Sequence, residues 1–249
     1  MALTAEATSL TAAARQRQLA LRAAILRELI TLWPTFDIRN IDASWEALRP
    51  AVMALINSGR VVAQALAQAY FDEFRRLEGI AGAAPTIAPL GDSWRQRALI
   101  SLEVTGPSAA KALLAQARQD AAQVAFIRVS GVVSRYTLEA GRETVLAGVQ
   151  EDRLSIGWQR VTDGLPCAFC AMLASRGPAY KSRQSASFDA HDHCACTVEP
   201  VYHRQSEWPG RNREFLGMWN ESTRGVHGSK ASQNAFRRFY EQTQLKGVS

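Results

Sequence analysis

Between Thr11 and Trp33, apolar side chains return every three or four residues, at Leu19, Leu21, Ala24, Ile25, Leu29 and Leu32, the period of one helix face. Thr11 is placed to cap the start of this helix and Pro34 to end it. The same period runs from about 44 to 77 through Trp45, Leu48, Val52, Leu55, Ile56, Val61, Leu66, Tyr70 and Phe74. Pro50 falls in the opening turns, where proline is best tolerated, and Ser58-Gly59 offers a break. The pattern predicts a helical hairpin region over residues 1–78.

Residues 79–92 contain three Gly and two Pro and have no helical period, which marks a linker. Helical patterning resumes over 93–104, restarts after Gly106-Pro107, and continues over about 120–149, with Gly131 and Gly141 as expected interruptions. Beyond Asp152 the pattern changes. Ile156–Val161 and Cys196–Tyr202 are short, β-branched and aromatic, and Asp163-Gly164 is a turn signal. Past Trp208-Pro209-Gly210, helices are expected near 211–221 and 230–244. The predicted fold class is mainly α: a helical N-terminal region, the linker, then an α+β module over 93–249. That module carries a small Cys/His-stapled β-hairpin at 155–202 and a helical tail at 203–249.

At 249 residues, 47% hydrophobic and 21% charged, the chain has enough apolar material for a sizeable core, which excludes a wholly disordered protein. No run approaches the eighteen or so apolar residues of a membrane span. The N-terminus lacks a basic stretch ahead of an apolar one, so the chain is expected to fold in a cytoplasm. The net charge is +6, and residues 201–249 hold eight basic side chains against four acidic ones. Trp208, Phe215, Trp219, Phe236, Phe239 and Tyr240 interleave with those cations, the composition of a nucleic-acid surface and equally of an amphipathic helix. Phe236, Phe239 and Tyr240 stand at i, i+3 and i+4, which favours a buried stripe and leaves only weak DNA contact for the tail.

The chemistry is concentrated in one place. All four cysteines, as Cys167-Ala-Phe-Cys170 and Cys194-Ala-Cys196, lie within thirty residues together with His191 and His193. A C-x-x-C turn converges two thiols, and an i, i+2 spacing puts two more on one face of a strand. A tetrahedral zinc held by four protein ligands fits, and such a closed site is structural. Two disulfides are the alternative, and a redox C-x-x-C lacks the βαβ surroundings it requires. The spacing leaves open whether His191 or His193 is a ligand.

The run Arg160-Val-Thr-Asp-Gly-Leu-Pro-Cys167-Ala-Phe-Cys170, then Arg176-Gly-Pro, then His191-x-x-Cys194-x-Cys196-Thr-Val-Glu-Pro-Val, resembles the Mu F-like minor head proteins of tailed bacteriophages, in their actinophage form. The likeness extends to Gly141-Arg-Glu-Thr144 and to Trp208-Pro-Gly-Arg-Asn-Arg-Glu-Phe215. It implies that 93–249 is the Mu F-like domain and that Cys167, Cys170, His191, Cys194 and Cys196 are the metal positions. Asp192-His193 stands where Pro-Asn is common in the family, which makes His193 a rival to His191. The resemblance implies a minor capsid protein at the portal vertex of the virion. Its partners would be the portal and other capsid or scaffold proteins, and its role capsid assembly, with DNA packaging or ejection as an extension.

Related actinophage proteins are often labelled capsid maturation proteases, so a protease is the alternative function. The sequence has no H-E-x-x-H, G-x-S-x-G or P-loop, and no matching acid–base set among His191, His193, His203 and His227. A zinc-stapled His/Asn nuclease built on His191-Asp192-His193, His203 and Asn212 is a more remote alternative, since Asn212 reads more simply as a helix cap.

Overall fold

A computed structural model describes residues 4–162, 164, 166–178, 188, 190–204 and 208–246. Helix α1, Ala5–Leu32, starts earlier than its apolar period suggests, because the hydroxyl of Thr4 accepts from the backbone of Ala7 and caps it. Thr11 is therefore not the cap: it lies buried mid-helix, its hydroxyl 2.9 Å from that of Tyr70. A single 3-10 turn at Trp33–Thr35, with Pro34 inside it, closes the helix.

Helix α2, Ile41–Leu77, runs unbroken through Pro50 and through Ser58-Gly59. Gly59 is a contact point instead: a Cβ there would lie 2.7 Å from Thr137 Cγ2 and 3.0 Å from Ile25 Cδ1. Helix α3, Ser93–Glu103, passes through a π turn at Val104–Ser108 into α4, Ala109–Ala115. The wider turn absorbs Pro107, which has no N–H to donate.

Helix α5, Ala121–Glu151, is also continuous past Gly131 and Gly141 and is buried on most sides between Val129 and Val149, the pattern of a central helix. One core joins α5 to Trp45, Leu48, Val52 and Ile56 of α2, to Trp94, Ala98 and Leu102 of α3, and to Ile25 and Leu29 of α1. Arg60 of α2 crosses to α5, donating to the Tyr136 carbonyl at 2.9 Å and to Glu143 at 3.2 Å.

Strands β1, Gly157–Val161, and β2, Thr197–Val201, pair antiparallel, from Gly157 opposite Val201 to Val161 opposite Thr197. Both strands are wholly buried. Trp158, Val198 and Tyr202 pack with Phe71 and Phe74 of α2 and with Val145 of α5 in a second core. Arg75 fastens this corner: its Nε donates to Asp152 at 2.8 Å, and its terminal nitrogens donate to the carbonyls of Ile80, Ala81 and Gly82 at the start of the 79–92 segment. Both charges are buried, so removing either one is expected to cost about 3–5 kcal/mol.

Between the strands lies the short helix α6, Ala168–Ala174. Helices α7, Asn212–Ser222, and α8, Ser229–Lys246, follow the sheet and pack on α6 through Phe215, Met218, Phe236 and Tyr240. The tail stripe is thus a core element. Arg237 and Arg238 are exposed beside it, and Arg211 is held by Glu214 at 2.7 Å. Asn212 does not cap α7: it is fully buried, and its Nδ2 donates to the Arg160 carbonyl at 2.8 Å. Asp163 and Leu165, both quoted in the sequence reading, lie outside the described residues. Among the described residues no helix is long and apolar enough to cross a membrane.

Candidate metal centre

The site is assembled from two chain segments that meet beside α5. Cys167 is the N-cap of α6, and its Sγ accepts from the Cys170 amide at 3.4 Å. The α6 turn thereby directs both thiols of the C-x-x-C to one side. Tyr240 of α8 secures that turn, its hydroxyl donating to the Pro166 carbonyl at 2.6 Å. The second segment turns at His191, whose carbonyl accepts from the Cys194 amide at 3.1 Å, and then enters β2. Cys194 and Cys196 precede that strand and do not lie within it, so their convergence comes from the turn before β2 and not from strand pleating.

The donor atoms form two overlapping triads, Cys167–Cys170–His191 and Cys170–Cys194–Cys196, each within mutual metal-binding range. His191 Nε2 lies 2.9 Å from Cys167 Sγ and 3.4 Å from Cys170 Sγ, and Cys170 Sγ lies 3.6 Å from Cys194 Sγ. Tetrahedral zinc, with bonds of about 2.3 Å to sulfur and 2.0–2.1 Å to nitrogen, sets roughly 3.8 Å between sulfurs and 3.5 Å between sulfur and nitrogen. The two Cys170 spacings fit that geometry, and the Cys167–His191 contact is about 0.6 Å shorter than it requires. His191 Nδ1 faces the Asp192 carbonyl at 2.6 Å, an arrangement that puts the proton on Nδ1 and leaves Nε2 to the sulfurs. All four cysteines are free thiols, with no disulfide among them.

His193 is directed elsewhere. It adopts a left-handed backbone, φ 67°, and its ring lies over α5, where a Cβ on Gly131 would come within 2.7 Å of Nε2. Arg135 of α5 meets Asp192 at 3.1 Å and holds the same turn. His203 stands 3.7 Å from Glu78, and Asn212 serves the Arg160 carbonyl, so of the residues of the nuclease alternative only His191 faces the sulfurs, and His193, His203 and Asn212 are engaged elsewhere.

The electrostatics of the sulfurs favour a cation. Hydrogen bonds from Cys170 and His191 draw the Cys167 thiol down to about 4, and the Cys167 contact in turn raises His191 to about 9. Contacts with Cys170 and Cys196 press Cys194 far down as well. Cys170 is pushed up by its sulfur neighbours, and Cys196, though drawn down by Cys170, is carried to about 12 by Cys194 and burial. Four thiols this close share too few favourable charges to ionise together, and a divalent ion would supply what they lack.

Residues outside the ligand pattern complete the surroundings. Arg142 of α5 donates from Nε to the Cys196 carbonyl at 2.9 Å and from Nη2 to the Cys194 carbonyl at 2.6 Å. Arg160 of β1 reaches Cys170 Sγ at 3.8 Å. Phe188 lies against both guanidinium groups, 5.1 Å from Arg142 and 3.7 Å from Arg160. Metal-ligand spacing does not point to Arg142, whose sequence signal is its place in the Gly141–Thr144 stretch.

Comparison with known proteins adds the family. A family model described as VG15 protein matches residues 5–222, which takes in the helical core, the sheet, the sulfur cluster and α7. The chain belongs to the VG15 protein family. It is also similar to the Gene 15 protein of Mycobacterium phage D29, at 27% identity over 46% of this chain and 52% of that protein. The chain thus spans about half the length of the curated relative it matches. No solved structure matches. The two matches support a bacteriophage protein.

Proposed function

We propose that this VG15-family chain is a minor capsid protein of a phage head, associated with the portal vertex, in which one zinc ion staples the segment around α6 to the approach to β2. The observation that carries this reading is the convergence, beside α5, of the C-x-x-C pair with His191, Cys194 and Cys196, a pattern that resembles the Mu F-like signature. Zinc would be held by four of the five donors Cys167, Cys170, His191, Cys194 and Cys196, with Cys170 common to both triads. A bound zinc supplies structural cross-linking there. The chain's own residues do the rest: α6 orients Cys167 and Cys170, the Nδ1 contact orients His191, and α5 backs the whole turn.

The role follows from the character of the site. A metal closed in by protein donors braces a surface for assembly and leaves no position for water activation. The partners are proposed to be the portal and other capsid or scaffold proteins, within the virion. The test is co-expression with the cognate portal and capsid proteins, followed by isolation of portal-containing particles and metal analysis of the chain recovered from them. Co-purification with the portal at about one zinc per chain is expected. Recovery of the chain free of portal and of particles, or specific cleavage of a capsid protein that depends on one of its Ser or His residues, would reject the reading, and the latter would favour the maturation protease.

A further inference from the structure

Arg142 is a charge that the ligand set leaves unexplained. It projects from the middle of α5, is 2% exposed, and ranks among the largest fully buried side chains. Its Nε and Nη2 are directed at the carbonyls of Cys196 and Cys194, and its Nη1 has no hydrogen-bond partner among the described residues. Two carbonyl dipoles orient a guanidinium without neutralising it. A buried charge with no counter-charge costs several kcal/mol, so a structure that keeps one supplies an anion nearby.

The acids around Arg142 serve other arginines more closely, and of them only Glu139 also acts on Arg142, as a weaker influence than Cys194 and Cys196. Glu139 and Glu143 are shared by Arg60 and Arg97, and Asp192 is met by Arg135. What remains is the sulfur cluster, whose Cys194 and Cys196 backbone Arg142 grips directly. A divalent ion with three thiolates and one imidazole keeps one net negative charge, and with four thiolates it keeps two. The guanidinium of Arg160 also approaches the same cluster, 3.8 Å from Cys170 Sγ.

We propose that Arg142 is the buried counter-ion of the metal–thiolate cluster and the positioning residue that ties the Cys194–Cys196 arm to α5, so that metal occupancy and docking of that arm on the helical core form one coupled equilibrium. The inference rests on the metal reading above and goes beyond it by naming what joins the metal to the core. Arg142 carries both halves of the link: its two donors set the path of the arm, and its charge is balanced chiefly when the sulfurs are anionic.

The test compares the full chain with Arg142→Gln, which keeps a donor and loses the charge, and Arg142→Lys, which keeps the charge. Zinc affinity is read by competition with a chromophoric chelator, and thermal unfolding is followed with and without zinc. R142Q is expected to bind zinc about 10–100-fold more weakly, the usual size of an outer-shell loss. Its zinc-dependent rise in melting temperature shrinks accordingly, and R142K retains most of both. A packing residue would instead lower the zinc-free and zinc-loaded forms equally and leave affinity unchanged, an outcome that overturns the proposal. Equal losses in R142K and R142Q overturn it too, because charge would then have no part. Should R142Q fail to fold, R142K decides alone, and a loss as large as that expected for R142Q rejects the counter-ion role. Absence of zinc from the wild-type chain would remove the metal reading itself, which is visible before any variant is made.

Discussion

A glycine inside a helix ordinarily costs about 1 kcal/mol relative to alanine, so Gly59 and Gly131 should be improvable if they served only the helix. They serve contacts instead. A methyl group at Gly59 meets Thr137 and Ile25 at the crossing of α1, α2 and α5, and one at Gly131 meets Asp192 Cβ at 2.9 Å beside His193. Gly131→Ala is therefore expected to lower stability by about 1–3 kcal/mol, the size of an overpacking penalty, despite the better helix propensity. The loss should be larger in the zinc-loaded protein than in the zinc-free one, because it displaces the turn that carries His191. Chemical denaturation of both forms checks this, and a stabilised G131A would show that the turn does not sit on α5. At the same scale His191 and His193 separate by what their rings touch: the first faces sulfur, the second a helix backbone.

At the scale of elements, α8 shows how a basic, aromatic tail is divided between packing and solvent. Phe236 and Tyr240 are buried against Phe215 and α6, their rings stacked at 5.9 Å, and Arg237 and Arg238 stay outside. Phe236→Ala should cost about 3–5 kcal/mol and loosen α6, on which Cys167 and Cys170 depend. The double change Arg237→Gln and Arg238→Gln should alter stability by no more than about 0.5 kcal/mol, the usual range for surface positions. Thermal unfolding of the two proteins distinguishes these outcomes, and a stability loss in the arginine pair that matched F236A would reverse the assignment of the faces. The three glycine-marked breaks, at Gly59 in α2 and at Gly131 and Gly141 in α5, failed for a related reason. A local signal for interruption loses to the burial gained by keeping one long helix against its neighbours.

For the whole molecule, the sulfur cluster, α5 and the sheet form one mechanical unit, so metal removal should be felt beyond the ligands. Treatment with a chelator is expected to lower the melting temperature and to raise hydrogen exchange first in 191–196 and α6, then in β1 and β2, with the α1–α2 crossing least affected. Exchange that is unchanged by chelation, or that rises evenly over the chain, would contradict a staple confined to this unit. Cys167→Ser with Cys194→Ser should abolish metal uptake, since it removes a donor from each triad. The tail's charge is the other whole-molecule property. With Arg211 held by Glu214 and the aromatic stripe buried, duplex DNA is expected to bind only in the non-specific range of about 10⁻⁴ to 10⁻⁶ M at physiological salt. Sub-micromolar binding in a mobility-shift assay would return the tail to the role of a nucleic-acid surface.

The sequence by itself determined the mainly helical class, the two short strands, the tail helices and the set of residues in the cluster, because these depend on periodicity and spacing within a few turns of chain. Phe236, Phe239 and Tyr240 marked their own stripe, and the four cysteines marked one locality. What only the tertiary structure decided is where separate segments meet. Whether Gly59 breaks a helix depends on Thr137 and Ile25, neither of them its neighbour in sequence. That His191 and not His193 faces the sulfurs depends on the close approach of the turn to Gly131. The place of Arg142 depends on two carbonyls more than fifty residues away. Backbone propensity is a local free energy that composition carries, whereas burial and charge compensation are properties of contacts between distant segments, and they exist only once the chain has closed on itself.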